Sequence, residues 1–315
     1  MKTLLLAHPL CHGHHVPKGH PERPERLAAV EKILATEHFS GLLREKAPAA
    51  TREHLLLAHD IGHIREIESL IPREGLNQAD ADTWLSPESF DAALRAAGAG
   101  LRAVDAVASL EADNAFCAIR PPGHHAESRR AMGFCLFNNI AIAARYAKET
   151  YGVERIAIID FDVHHGNGTQ EIFWDDADVL YCSTHQSPCY PGSGDASETG
   201  AHGNMVNCPL PPGAGSARFR EAFRARILPA IDAHEPEFIF ISAGFDAHER
   251  DPLASLKLRE EDYVWVTLAL MEAAERMCAG RIVSMLEGGY DLGALAASVA
   301  VHVQALMKGA KSDER

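Results

Sequence analysis

Short apolar runs alternate with longer stretches of helical periodicity along the chain, and the alternation predicts an α/β fold. Thr3 to Ala7 reads as a first buried strand, followed by a His/Gly/Pro loop over His8 to His20. Pro24 to Glu37 carries Leu27, Val30, Ile33 and Leu34 at helical spacing. Arg52 to Ala58 and His59 to Ser69 look like short α and β pieces. Asp80 to Pro87 reads as a polar loop, after which Pro87-Glu88 opens an Ala-rich helix towards Leu110. Ala115 to Ile119 predicts a strand and Asn138 to Tyr151 an amphipathic helix.

The β-branched run from Arg155 to Asp162 predicts a strand buried on both faces. Val179 to Ser183 and Met205 to Cys208 predict two more. Arg218 to Ile231 reads as a helix, Phe238 to Ser242 as a strand, Glu260 to Cys278 as a helix, Ile282 to Leu286 as a strand and Leu292 to Lys308 as a last helix. Gly309 to Arg315 reads as a frayed polar tail. No repeat or linker composition divides the chain. Residues 1–315 are therefore expected to form one open three-layer domain, a mostly parallel sheet flanked by helices. In such folds ligands sit beyond the carboxyl ends of the strands.

Composition narrows the function. With 30 Lys and Arg against 44 Asp and Glu the formal net charge is −14. That balance argues against a sequence-independent grip on DNA or RNA and mildly favours a cationic substrate. No apolar run is long enough to span a bilayer, and the first residues lack a signal-peptide pattern, so a cytoplasmic protein is expected. The 7 cysteines are scattered and odd in number, which argues against a disulfide framework. The 18 histidines are clustered, which directs attention to metal or acid–base chemistry.

Asp162 and His164 follow an apolar strand and precede Gly166-Asn167-Gly168. In extended geometry they would share one face and supply two metal ligands. Ser242 to Asp246 places another carboxylate after a buried run. An Asp–His–Asp set suits zinc best, and Fe(II) or Co(II) could also use it. Gly123-His124-His125 offers imidazoles for proton transfer or as further ligands, with Asp160 and Asn167 available to fix their tautomers. Glu287-Gly288-Gly289-Tyr290 could bring a phenol to an oxyanion. Gly133-Phe134 and Cys189-Tyr190-Pro191-Gly192 could wall a channel or pack at a rim. No nucleotide-binding glycine motif is present.

Taken in order, these motifs resemble the zinc-dependent histone deacetylase superfamily with its arginase/deacetylase fold, and most of all the class II-like bacterial histone-deacetylase-like amidohydrolases. The resemblance runs from His20-Pro-Glu-Arg-Pro-Glu-Arg-Leu27 through Arg120 to Ala126, Gly133 to Cys135, Asp160 to Gln170, Ser242 to Asp246 and Glu287 to Tyr290. It implies one zinc on Asp162, His164 and Asp246. It implies His125 as general base and acid, His124 as its electrostatic neighbour, Asp160 and Asn167 as their respective partners, and Tyr290 as catalytic tyrosine. Asparagine at 167 is the class II-like choice.

Phe134 and Tyr190 match the tunnel walls beside Gly133. Leu253 matches the rim position where polyamine-specific relatives carry an acid, and Asp82, or alternatively Thr83, matches a rim residue that binds substrate backbone. The resemblance also implies potassium sites. One would use Asp160 and Ser183 with carbonyls including Thr184, and a weaker one the carbonyls near Phe173, Asp176 and Val179. The motifs of a binuclear manganese site are missing.

The implied reaction is hydrolysis of an acetyl-lysine side chain or a similar acylated amine, releasing acetate. An acetylpolyamine deacetylase, a small amide or thioester hydrolase and a non-catalytic acyl-amide binding protein are the alternatives. Leu253 disfavours the polyamine reading, while Glu249 and Asp251 keep it open. Some relatives are homo-oligomers, and nothing in the sequence fixes an assembly here.

Overall fold

The computed structural model describes residues 1–309, so of the tail expected over Gly309 to Arg315 only Gly309 lies within the described residues. Ten strands run in chain order: β1 (Thr3–Ala7), β2 (Leu43–Lys46), β3 (Asn77–Gln78), β4 (Trp84–Leu85), β5 (Asn114–Cys117), β6 (Ile156–Asp160), β7 (Val179–Gln186), β8 (Met205–Leu210), β9 (Phe238–Ala243) and β10 (Ile282–Leu286). The helices are α1 (Glu25–Leu34), α2 (Arg52–Leu55), α3 (Ile61–Leu70), α4 (Ser89–Ala108), α5 (Asn139–Tyr151), α6 (Asn167–Ile172), α7 (Ser216–Ala222), α8 (Leu228–His234), α9 (Glu260–Cys278) and α10 (Leu292–Lys308).

Eight strands form a sheet in the order β2-β1-β5-β10-β9-β6-β7-β8, and every pairing in it is parallel. Its central strands are buried along their whole length, as runs such as Ile156-Ala-Ile-Ile and Phe238-Ile-Phe-Ile require of a sheet covered on both sides. Successive residues of β10 show the two sides. Ser284 bonds His302 of α10, while Met285 packs where Gly100 of α4 passes close to Ala143 of α5. Asn138 caps α5, accepting from Ala141 N at 3.0 Å, and Asp291 caps α10, accepting from Ala294 N at 2.7 Å.

Several local expectations change. β6 stops at Asp160, so Asp162 and His164 do not share a face by strand alternation; the loop beyond the strand brings them together. The stretch expected to mix α and β pieces over Arg52 to Ser69 is helical, as α2 and α3. The helix expected over Arg218 to Ile231 is interrupted by a π segment over Phe223–Ile227, a wider turn between α7 and α8. β2 has no apolar run to reveal it: Leu43-Arg-Glu-Lys is exposed throughout at the sheet edge, where charge discourages further pairing.

A buried ion cluster ties the first loop to the sheet's carboxyl rim. Glu22 accepts from Arg120 at 2.5 and 2.6 Å and from Arg26 at 2.9 Å, and all three side chains are fully buried. Arg26 then donates to the carbonyls of Gly289 at 2.6 Å and Glu287 at 2.5 Å, and Arg120 to those of Cys11 and His14. Burial works against the Glu22 charge, and the two guanidiniums overcome it and hold the carboxyl well below its usual range.

Glu22→Ala leaves both guanidiniums buried without their counter-charge. We expect it to cost about 3–5 kcal/mol in urea unfolding. Because the folded pKa of Glu22 is depressed, the pair's contribution is full above the unfolded carboxylate value of about 4.3 and is lost as pH falls below it. The gap between wild type and variant should therefore narrow in acid.

Candidate active site

Four neighbouring strands, in the order β5-β10-β9-β6, deliver their C-terminal loops to one place. The loop after β5 carries His124 and His125, that after β6 carries Asp162 and His164, that after β9 carries Asp246, and that after β10 carries Tyr290. Oxygens of Asp162 and Asp246 and a ring nitrogen of His164 lie within 4.8 Å of one another, all buried. His164 Nδ1 is 3.1 Å from Asp162 Oδ1 and 3.2 Å from Asp246 Oδ2.

Backbone amides aim these carboxylates. Gly288 N donates to Asp162 Oδ2 at 2.8 Å, His164 N to Asp162 Oδ1 at 2.9 Å, and Val163 N to Asp246 Oδ1 at 2.8 Å. A Cβ at Gly288 would overlap both carboxylates, so only glycine lets that amide approach. Burial and then the charge of Asp162 push Asp246 up to about 7. Two carboxylates in such proximity repel each other, and a cation between them removes the repulsion. Two oxygens and one imidazole nitrogen are donors that zinc accepts, so the residues fit the metal that the sequence resemblance implies.

The paired histidines have unlike partners. His124 Nδ1 is 2.9 Å from Asp160 Oδ2, and His125 Nδ1 is 2.8 Å from Asn167 Oδ1. Burial disfavours charge on His124, but Asp160, Asp162 and Glu287 outweigh it and raise the ring to about 10. Burial, followed by the charges of His124 and His164, holds His125 well below its usual range. The two environments thus favour the charged form of His124 and the neutral form of His125. Burial also raises the Tyr290 phenol well above its usual value, so it stays protonated as a donor.

A cavity of about 220 Å³ reaches this cluster, lined by Asp82, His125, Gly133, Phe134, His164, Tyr190, Leu253 and Tyr290. Every tunnel residue expected from the sequence is among them. The Tyr190 ring centroid is 5.1 Å from that of His125, and Phe134 is 6.0 Å from Tyr290. Gly133 has φ +56°, and a Cβ there would strike the His125 ring. Thr83, the alternative to Asp82, is buried, and its hydroxyl instead accepts from Phe134 N at 3.1 Å.

The residues named for potassium behave differently in the two places. Asp160 and Ser183 are register partners in β6 and β7, with Ser183 Oγ 2.8 Å from His185 Nδ1, and Thr184 follows in the same strand. The carbonyls of Phe173, Asp176 and Val179 do converge, but on the side-chain amide of Asn204, whose Nδ2 donates to them at 3.0, 3.0 and 3.1 Å. In this structure an amide of this chain occupies that cradle.

Three buried acids hold the site's loops: Glu22 and Glu287 carry no role in the sequence, and Asp251 appears there only as a possible reader of a polyamine. Glu287 Oε2 accepts from the amides of Gly123 at 2.7 Å and His124 at 3.2 Å, fixing the histidine loop. Asp251 accepts from Tyr290 N at 2.7 Å and Leu253 N at 3.0 Å, fixing the tyrosine to the rim. Glu22 acts on the same loop through Arg26, whose guanidinium lies 4.8 Å from the Tyr290 ring centroid. Two were visible as acids inside recognisable motifs, but only the fold shows which amides they meet.

A family model described as the histone deacetylase domain matches residues 20–306. Type-2 histone deacetylase 2 of Dictyostelium discoideum is 37% identical over 98% of this chain, which spans only 21% of that protein's length. The histone deacetylase-like amidohydrolase of Pseudomonas aeruginosa is 40% identical, with 87% of this chain and 73% of that protein covered. The crystal structure of the HDA15 HD domain superposes with a TM-score of 0.92 at 35% identity, covering 99% of this chain and 89% of that one. With the family's motifs gathered at the carboxyl rim of a parallel sheet, the chain belongs to the histone deacetylase family.

Proposed function

We propose that the chain is a zinc-dependent deacetylase, with residues 1–315 acting as one catalytic unit on acetylated lysine side chains or similar small acylated amines. The observation that carries this reading is the cavity that ends where His125, Tyr290 and the Asp162–His164–Asp246 cluster meet. A zinc ion on those three ligands would supply a Lewis acid for the acyl carbonyl and acidify a water molecule.

The chain's own groups do the rest. His125 has Nδ1 committed to Asn167, so Nε2 is the nitrogen free to take the proton of the attacking water. The Tyr290 hydroxyl donates to the oxyanion of the tetrahedral intermediate. Protonated His125 then returns its proton to the leaving amine, and acetate and the free amine depart. His124, held as a cation by Asp160, adds positive potential beneath the reacting carbonyl. Phe134 and Tyr190 flank an aliphatic chain, and Asp82 at the mouth can accept from a substrate backbone amide. Asp160 and Ser183, with carbonyls of that loop and of Thr184, would hold a structural potassium ion.

A lysine-type substrate is favoured over an acetylated polyamine by what occupies the rim. Leu253 is 38% exposed and lines the cavity with no charge. Asp251 is engaged by backbone amides, and Glu249 pairs with Arg259 at 3.0 Å. Neither acid lines the cavity.

The test is kcat/KM of the zinc-loaded protein on matched acetyl-lysine peptides and mono-acetylated polyamines. The peptide should be preferred; a preference for the polyamine would reject the substrate reading, and no turnover of either would reject the activity. Tyr290→Phe should lower kcat about 10²–10³-fold with little change in KM, and an unchanged kcat would reject the tyrosine's role.

A further inference from the structure

We propose that Glu127 is a positioning residue, whose carboxylate decides which end of the Asn167 amide faces His125. The inference rests on the reading of His125 as the base. Asn167 Nδ2 donates to Glu127 Oε1 at 2.8 Å while its Oδ1 meets His125 Nδ1 at 2.8 Å. The three side chains form a single line of hydrogen bonds that runs away from the acyl cavity.

The two ends of an amide are nearly identical in shape and opposite in hydrogen-bonding sense. Were Nδ2 to face the ring, His125 Nδ1 would have to accept, and the ring proton would move to Nε2. That nitrogen would then have no lone pair for the attacking water. An ionised carboxylate can only accept, so Glu127 draws Nδ2 outward and leaves Oδ1 for the ring. The proton is thereby kept on Nδ1 and the lone pair on Nε2. The weaker contacts of Nδ2, to the His125 carbonyl at 3.4 Å and Met132 Sδ at 3.3 Å, favour the same orientation without charge.

His124 needs no such outer group, because its own partner is the carboxylate of Asp160. His125 has a neutral, reversible partner, and Glu127 supplies the missing direction one bond further out.

Glu127 is itself held in place. Its amide donates to Arg130 O at 2.9 Å, His59 Nδ1 is 3.1 Å from its carbonyl, and the adjacent Ser128 is bound to Glu171 of α6 at 2.7 and 2.9 Å. Its side chain lines a separate open recess of about 570 Å³ with Arg130, Met132, Asn167 and Trp174. That recess and the acyl cavity have no lining residue in common, so Glu127 acts through Asn167 and not on substrate.

The experiment uses the zinc-loaded full chain in two readouts. In steady-state kinetics on an acetyl-lysine peptide, Glu127→Ala should lower kcat about 10-fold, the lower end of what the loss of an outer partner costs, with KM within twofold. Glu127→Gln keeps an acceptor and should recover most of that loss. Asn167→Asp sets two carboxylates side by side and should be impaired. Adding Glu127→Gln to it should restore activity, a non-additive pair that general destabilisation does not produce. Nitrogen-15 spectra of the histidine rings should show the Nδ1–H form of His125 in wild type and an increased Nε2–H fraction in Glu127→Ala. This readout needs no turnover, so it judges the relay even if the peptide is not the substrate. An unchanged kcat and tautomer in Glu127→Ala, or strictly additive effects in the double variant, would overturn the proposal.

Discussion

The carboxylates of Asp162 and Asp246 lie buried together beyond the ends of the adjacent strands β6 and β9, with one imidazole between them. Two negative charges in a dry interior are costly unless they are hydrogen-bonded and neutralised. Much of the surrounding architecture meets that demand. Amides of Val163, His164 and Gly288 each point at one of the four oxygens, and the glycines at 244 and 288 clear the space for it. What hydrogen bonds cannot remove is the net charge, and the donor set that remains is one a divalent metal satisfies.

The same device recurs outward from the centre. Loops with little regular structure are held to the sheet by buried acids that accept from backbone amides or guanidiniums. Glu287 holds the histidine loop, Asp251 holds Tyr290 to the rim, and Glu22 holds Arg26, which grips the carbonyls of the tyrosine loop. The loops around the cavity thus rest on charges that do not line it. The unlike partners of His124 and His125 follow the same logic: a carboxylate fixes a cation, while an amide orients a neutral ring.

Much of this was legible in the sequence. The central strands declare themselves by β-branched and aromatic runs, and the polar motifs directly after them must fall at one rim of a parallel sheet. Only the family resemblance pointed to Leu253 and Asp82, which no periodicity could have found and which line the cavity. Other features were hidden for physical reasons. β2 consists of Leu-Arg-Glu-Lys, a pattern that carries no burial signal because the strand is an exposed edge. Asp162 and His164 converge through a loop beyond β6, so strand alternation is not what brings them together. Asn204 reads as an ordinary polar residue before a strand, and only the fold brings its amide among three carbonyls. The buried acids could be seen as residues, but spacing does not name their partners, which range from Leu253, two positions beyond Asp251, to Gly123, 164 positions before Glu287.

The central claim is that the paired carboxylates are assembled around one divalent ion. Calorimetric titration of zinc into metal-stripped protein, with thermal unfolding of the same samples, tests it most directly. The account predicts one tight equivalent per chain and a raised Tm, both lost in Asp246→Ala. Failure to bind zinc, or binding of equal strength and stoichiometry in Asp246→Ala, would contradict it.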